Sequence, residues 1–480
     1  PKRPRDAQKW LECAYDGYLA LNDLTGQLQS AAGIIDSFYV DYSDFSPLSR
    51  WIEPFTKLLE STTKFPSPEA EIRIRLALLG IVQHVPGNRL LSDCAARTEE
   101  LLSAPLDVNL MVVAGQRLTH YAEATCDPDL NRRVHRIVSQ SLEHPALVPA
   151  HAATFINGWG YHLYISWQVA EALACFARGR SIAQREGLHD EYFRGLVYSA
   201  LCLRRAGRLR EAEDARRELG CLPRPNRGVR ASMLDILDAL IAYAHGDLSA
   251  AIAYGRTAQQ TVDSARNVSN GVLYRVINAS ILIAAGQLNE ASELLIEARI
   301  AASGTTIDSA RAYISLNQAH IAHLRSDGTA RHDYLREALA LGAREGARAR
   351  LRWFPCALQA LVPIAIEAGI FPNVARALST DLAIAPPGAH SENWPWPIKI
   401  YTLGRFEIWL NGEQLSYSRK APRKTLALLQ ILIALGGTDV AEERILEALW
   451  PDDDGDVGHR SFTQALHRLR KLLGDSTAIR

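Results

Sequence analysis

"GRLREAEDA" (207–215), "GDLSAAIAY" (246–254) and "GQLNEASEL" (286–294) share one pattern: a glycine, a leucine two residues on, then an alanine-bearing stretch. Their first residues, Gly207, Gly246 and Gly286, stand 39 and 40 residues apart. Self-similarity at a fixed step of this size marks stacked supersecondary units. Stepping back by about 40 from Gly207 reaches "WQVAEALAC" at Trp167, "DPDLNRRVH" at Asp127 and "GNRLLSDCA" at Gly87. Stepping forward reaches "DGTARHDYL" at Asp327 and "GIFPNVARA" at Gly369, which makes about eight units, with Pro47 as the opening of a ninth.

The unit around Gly246 shows the anatomy. "ASMLDILDALIAYAHG" (231–246) places Leu234, Leu237, Ile241 and Ala244 on one helical face, and Gly246 ends the helix in the left-handed conformation that only glycine adopts without steric cost. Asp247 caps the next helix, whose Ala250, Ala251 and Ala253 permit close helix–helix approach. A single hairpin of this kind cannot bury its apolar stripe, so the units are expected to stack into an α-solenoid with a concave binding surface.

The chain has 480 residues with 53 Lys+Arg against 53 Asp+Glu and a hydrophobic fraction of 48%, an ordinary globular composition. No apolar run is long enough to span a bilayer, and the start, Pro1-Lys2-Arg3-Pro4-Arg5, leads into no signal-peptide core; a cytoplasmic protein is expected, without membrane contact. The seven cysteines (Cys13, Cys94, Cys126, Cys175, Cys202, Cys221, Cys356) show no CxxC spacing, which points to reduced thiols and away from zinc. The dispersed His84, His120, His245 and His320 make no HxxxH pair, and "PDDDGD" (451–456) lacks the glycine and glutamate of a calcium loop, since Val457 and Thr463 stand there. No metal, cofactor or catalytic residue is expected. No G-x-x-x-x-G-K-[ST] loop occurs, so an enzyme is not expected. The densest aromatic patch is "NGWGYHLYISW" (157–167), where Trp159, Tyr161, His162 and Tyr164 are candidate ligand contacts or else core between repeats.

At "APPGAHSENWPWP" (385–397) prolines interrupt the helical pattern. Beyond it, "IKIYTLGRFEIWLNGEQL" (398–415) alternates as strands do, with Asn411-Gly412 as a hairpin turn. Three helical stretches follow: "PRKTLALLQILIALGG", "AEERILEALWP" and "GHRSFTQALHRLRKLLGD" (458–475). On the third, Phe462, Ala465, Leu466, Leu469, Leu472 and Leu473 form an apolar face. The other face carries Arg460, Gln464, His467 and Lys471, flanked by Arg468 and Arg470, with no acid before Asp475. From Ile398 onward 12 Lys+Arg meet 11 Asp+Glu, so positive charge is concentrated on this one helix. Such a face offers donors to phosphates and base edges.

The G-x-L-x-E-A element with its paired helices resembles tetratricopeptide (TPR) repeats, and the longer period looks like the sensor domain of MalT-like bacterial activators. The T-L-G-x-F strand entry, "LWP" with its acidic turn and "HRLRKLLG" resemble the OmpR/PhoB-type winged helix of antibiotic regulatory protein (SARP) activators. The resemblance implies a mainly α chain: a helical linker or cap over 1–45, a TPR-like solenoid sensor over 46–385, a proline-rich linker over 386–397 and a small α+β winged-helix domain over 398–480. It implies a transcriptional regulator in signal transduction that binds promoter DNA through Arg460, Gln464, His467, Arg468, Arg470 and Lys471. Arg419, Lys420, Arg423 and Lys424 are phosphate contacts on this reading. A small-molecule, peptide or protein inducer on the solenoid, RNA polymerase and a second copy of the chain are the further partners it implies. It places any ATPase module upstream of Pro1, and the five residues "STAIR" (476–480) are too few for the family's wing. The alternative is a TPR-like scaffold that binds protein or peptide in signalling, without DNA binding.

Overall fold

The computed structural model describes residues 4–82, 84–222, 228–303, 308–344, 347–388, 391–416, 422–474 and 477–479. Contacts divide the chain into two units, Pro1–Pro387 and Gly388–Arg480. In the larger one the regular elements among the described residues are all helices. It opens with α1 (Pro4–Ala20), α2 (Leu24–Asp41), α3 (Ser49–Ser61), α4 (Pro68–Gly80) and α5 (Leu91–Leu101). Hairpins follow: α6 (Val108–Thr125) with α7 (Pro128–Ser139), α8 (Pro149–Ile165) with α9 (Val169–Arg185), and α10 (His189–Arg205) with α11 (Leu209–Cys221). Next come α12 (Val229–Ala244) with α13 (Leu248–Ser264), α14 (Val268–Ala284) with α15 (Leu288–Ala302), and α16 (Asp308–Leu324) with α17 (Gly328–Gly342). The short α18 (Ala347–Leu351), then α19 (Pro355–Glu367) and α20 (Pro372–Asp381), close the unit. The first helices of the hairpins start at 108, 149, 189, 229, 268 and 308, a step of 39–41 residues.

Local chemistry explains most of the hairpins. Gly207, Gly246 and Gly286 sit in the tight turns with φ of 75°, 80° and 75°, the left-handed region that ends a helix and frees the chain to reverse. Asp127, Asp247 and Asp327 then cap the second helices, accepting from Leu130 N, Ala250 N and Ala330 N at 2.9, 2.9 and 3.0 Å. Each such cap contributes about 1 kcal/mol. First helices are buried on most sides, as Val272, Val276, Ile277, Ile281 and Leu282 of α14 show; second helices bury one narrow stripe, such as Ala251, Ala258 and Val262 of α13. Ion pairs join successive second helices, Arg256–Glu290 at 2.7 Å and Arg299–Glu337 at 3.0 Å. Exposed pairs of this kind add only about 0–1 kcal/mol, so the stacking of apolar faces carries the array.

The array bends back on itself. Val229 N donates to Ser43 O at 3.2 Å and Phe45 N to Ala265 O at 3.0 Å, tying the segment after α2 to the start of α12 and the end of α13. Gly228 makes this clasp possible: its φ is 84° and its ψ −166°, and a Cβ there would lie 2.1 Å from Ser43 O. On the other side Arg350 of α18 donates through Nη1 to the backbone carbonyl of Glu123 in α6 at 2.9 Å.

The smaller unit has an antiparallel sheet in the order β1 (Ile398–Tyr401), β2 (Glu407–Leu410), β3 (Glu413–Gln414), with Ile398 opposite Leu410 and Trp409 opposite Gln414. Asn411 and Gly412 make the two-residue turn with φ of 51° and 87°. Helices α21 (Arg423–Ala434), α22 (Glu442–Leu449) and α23 (Gly455–Leu473) pack on it around Ile408, Leu428, Ile445, Ala465, Leu469 and Leu473. The expected apolar face of the last helix is the one buried, and Asp454 and Gly474 delimit it. The coarse expectation, TPR-like hairpins followed by a small α+β unit, describes the chain. Among the described residues no helix is long and apolar enough to cross a membrane.

Candidate ligand cavity

The inner faces of the first helices enclose a cavity of ≈ 270 Å³. Its walls come from α2 (Tyr39, with Tyr42 just after it), α6 (His120, Glu123), α8 (Tyr161, Tyr164, then Trp167) and α10 (Arg194, Tyr198, Leu201, Arg204, Arg205). Further wall is supplied by α12 (Met233, Leu240, Tyr243), α14 (Asn270, Leu273, Tyr274, Ser280) and the segment Arg352–Cys356. Helical geometry explains the convergence on α10: Arg194, Val197, Tyr198, Leu201, Arg204 and Arg205 recur at three- and four-residue steps, so they lie on one stripe. The eleven residue steps from Arg194 to Arg205 span about 16 Å, which sets the length of the cavity along that helix.

The two ends differ in chemistry. Near the start of α10, Tyr42 stands beside Arg194, whose guanidinium is 5.8 Å from the ring centroid and 3.8 Å from the buried Glu191. His120 is close by, held by burial at a pKa of about 3, hence neutral, and Tyr39 lies 3.1 Å under the Arg117 guanidinium. In the middle Tyr161 and Tyr198 face each other with centroids 4.9 Å apart, and burial drives both phenols well above their ordinary range. Glu123 is also here; burial pushes its carboxyl up to about 8 against the opposing pull of Arg350, so it is largely protonated at neutral pH. At the far end Arg205 sits 4.0 Å from the Trp167 centroid, 4.6 Å from Trp353 and 4.9 Å from Tyr164, and Arg352 sits 4.3 Å from Trp167. Arg205 Nη1 donates to Tyr164 O at 3.1 Å.

Several polar atoms of these walls are buried without a hydrogen-bond partner: Trp167 Nε1, Trp353 Nε1, Arg204 Nε, Arg205 Nη2, Arg352 Nε and Glu123 Oε1. Leaving such a group unmade costs about 1–3 kcal/mol, so a cluster of them in one cavity wall marks a place built for something other than packing.

Of the aromatic candidates read from 157–167, the structure brings Tyr161 and Tyr164 to the cavity wall. Trp159 and His162 are elsewhere: Trp159 stacks on His135 at 3.8 Å and on His162 at 4.8 Å, and His162 shares a 2.9 Å hydrogen bond with Asn131. Arg194, Arg205, Arg352, Trp353 and Tyr198 were not singled out in the sequence. The available signal was the presence of three arginines, Arg194, Arg204 and Arg205, on an otherwise apolar and aromatic stripe of α10.

In the smaller unit Arg460, Gln464, His467, Arg468 and Lys471 are exposed on α23, and Arg423 is exposed at the start of α21. Arg419 and Lys420 lie outside the described residues. Three of the basic side chains have internal partners: Arg460 Nε donates to Asp456 O at 3.1 Å, Arg470 Nε to Ile479 O at 3.0 Å, and Lys424 Nζ to Leu449 O at 3.0 Å. Lys424 also lies 5.2 Å from the Trp450 ring centroid. Among the described residues no group of three or more His, Cys, Asp or Glu could hold a metal ion.

The sequence matches no family model and no curated protein. Among solved structures it is similar to the crystal structure of a Rap protein complexed with competence and sporulation factor, with a TM-score of 0.51 and 15% identity, over 75% of this chain and 99% of that one. At this identity the likeness is one of fold. It corrects the resemblance to MalT-like and SARP-type regulators: the helical array follows the Rap architecture, and DNA binding, promoter DNA and RNA polymerase are withdrawn with that reading. The physical reason for the error is plain. Helical hairpins of about 40 residues carry the same glycine, leucine and alanine signature in any solenoid, and a basic helix face serves internal hydrogen bonds as well as phosphates.

Proposed function

We propose that this chain is a helical-repeat scaffold that binds an extended segment of peptide or protein in its cavity, in a signalling role without DNA binding. The observation that carries the reading is the wall itself, in which rings from six helices and arginines from α10 and the 352–356 segment line one space. An elongated occupant suits a cavity about 16 Å long with unlike ends, since a fully extended segment of about five residues has that length. The Rap protein that shares the fold was captured with competence and sporulation factor, which supports binding as the use of the array. No catalytic step is assigned to the cavity. The small unit, a three-stranded sheet ahead of three helices, is read as a docking piece.

The test is selection from a random peptide library on the full chain and on a variant with the cavity filled, Ser280→Trp. Peptides that enrich on the parent and lose binding to the filled variant support the reading. Peptides that bind both alike, or no enrichment on the parent, overturn it.

A further inference from the structure

We infer that the Arg205–Arg352 end of the cavity is a carboxylate-binding subsite, which takes the terminal or side-chain carboxylate of the bound segment. The inference rests on the peptide-binding reading and adds the polarity of the occupant.

Charge is the first argument. Arg204, Arg205 and Arg352 meet at this end, and the charged and titrating neighbours that act on Arg205 are Arg204, Cys202 and the phenols Tyr164 and Tyr313, with no carboxylate among them. Asp381, which lies 4.0 Å from Arg352, is closer to Arg348 at 3.4 Å. The one acid among the described residues of the cavity wall, Glu123, belongs to α6 and is largely protonated at neutral pH. This end therefore carries three guanidinium groups against a single neighbouring carboxylate, that of Asp381, which Arg352 shares with Arg348.

Hydrogen bonding is the second. All five unpartnered polar atoms here, on Trp167, Trp353, Arg204, Arg205 and Arg352, are donors. Stacking on indole faces answers the guanidinium charge in part, but it leaves the in-plane N–H groups without acceptors. Backbone carbonyls answer part of the set, Tyr164 O for Arg205 Nη1 at 3.1 Å and Asp381 O for Arg352 Nη2 at 3.4 Å, and the remaining polar atoms of these cavity-lining side chains are likewise N–H donors. A carboxylate is acceptor-only, with about four lone-pair sites, and is the complement of such a set.

Backbone conformation is the third, and it is independent of the other two. Trp167 occupies the turn position at which the succeeding hairpins place Gly207, Gly246 and Gly286, and it holds the same left-handed conformation, with φ of 65°. Cys126 and Ser326 do so at the equivalent turns of two other hairpins, with φ of 56° and 60°, but neither is bulky. An indole carried on a left-handed residue is strained, and strain of this kind collects at functional sites. Here the strain holds the ring against both guanidinium groups.

The test follows the indole N–H signals of Trp167 and Trp353 in the full chain, assigned through Trp167→Gly and Trp353→Phe among the nine tryptophans. The probes are N-acetyl-phenylalanine, N-acetyl-phenylalaninamide and N-acetyl-aspartyl-phenylalaninamide. The subsite requires the first or third probe to shift both signals at a concentration roughly tenfold below that needed by the amide. Whichever of the two acids does so identifies the carboxylate as terminal or side-chain. Arg205→Gln and Arg352→Gln, each checked for an unchanged helical spectrum, should abolish the preference, and Trp167→Gly should weaken it while the fold persists. If acids and amide shift the signals alike, or none shifts them, the carboxylate subsite is wrong. Peptides selected on the cavity would leave the scaffold reading standing in either case.

Discussion

Replacing Glu123 by Gln should remove a large part of the pH dependence of the helical array's stability. The residue is 6% exposed, its Oε1 has no hydrogen-bond partner, and Arg350 engages its backbone carbonyl. Tyr161 from α8 and Tyr198 from α10 are the nearby phenols, and burial keeps both protonated. Burial raises the carboxyl from 4.5 to about 8, with the Arg350 charge acting in the opposite sense. Because the folded pKa is the higher one, the proton stabilises the folded state. That contribution is complete below about pH 4.5, declines as the unfolded chain ionises first, and is gone above about pH 8. A tenfold difference in proton affinity between the folded and unfolded chain corresponds to about 1.4 kcal/mol, which sets a limit of about 5 kcal/mol; relaxation around an ionised buried group brings the expected figure to about 3–4 kcal/mol. Glutamine keeps the shape and does not titrate. The measurement is urea unfolding of parent and variant, followed by circular dichroism in matched buffers from about pH 4.5 to about pH 8.5, so that other groups cancel in the difference. The variant should gain on the parent by about 3–4 kcal/mol across that range. Parallel curves would show that the carboxyl titrates alike in both states, and would return a negative charge to the cavity wall at neutral pH.

Two further outcomes follow from the fold. Gly228→Ala should destabilise the array by about 2–4 kcal/mol, because the backbone there is in a region open only to glycine and the new methyl meets Ser43 O. Gly246→Ala, at a turn with nothing within 4 Å, should cost only about 1 kcal/mol; equal losses in thermal melts would sink the argument for the clasp. Limited proteolysis within 386–397 should release a fragment containing α1–α20 that keeps its helical spectrum and its melting temperature. Loss of either on cleavage would show that the two units fold as one.

The hairpins were legible because their signals are local. A glycine that must take a positive φ, an aspartate that must cap, and alanines that must let two helices approach all lie within a dozen residues of each other around Gly246. The sheet was legible for the same reason, through Asn411-Gly412. The clasp between Ser43 and Gly228 and the link from Arg350 to Glu123 join segments distant in sequence, and no period announces them. The cavity was half legible: aromatic density singled out Tyr161 and Tyr164, yet the adjacent Trp159 and His162 turn away from it to stack with each other and with His135. On α23 the amphipathic pattern placed the core face correctly. Composition said nothing of whether the donors of Arg460 and Arg470 were free, and both are bonded to nearby backbone carbonyls.

Trp167 joins the two kinds of information. Periodicity places it at the turn where the later hairpins carry glycine, and glycine there would spare about 1–2 kcal/mol of left-handed strain. A residue kept against a local preference needs a compensating contact, and places where local rules fail are where function is expected. The compensation is visible on its ring, which meets Arg205 and Arg352 at 4.0 and 4.3 Å. Those contacts offset the strain, but they gather two like charges on one indole. That arrangement favours an anion, and the Trp167→Gly variant separates the two effects. Its backbone should relax while the acid preference of the cavity falls. A variant that relaxes and still prefers the acid would show that the ring is only packing.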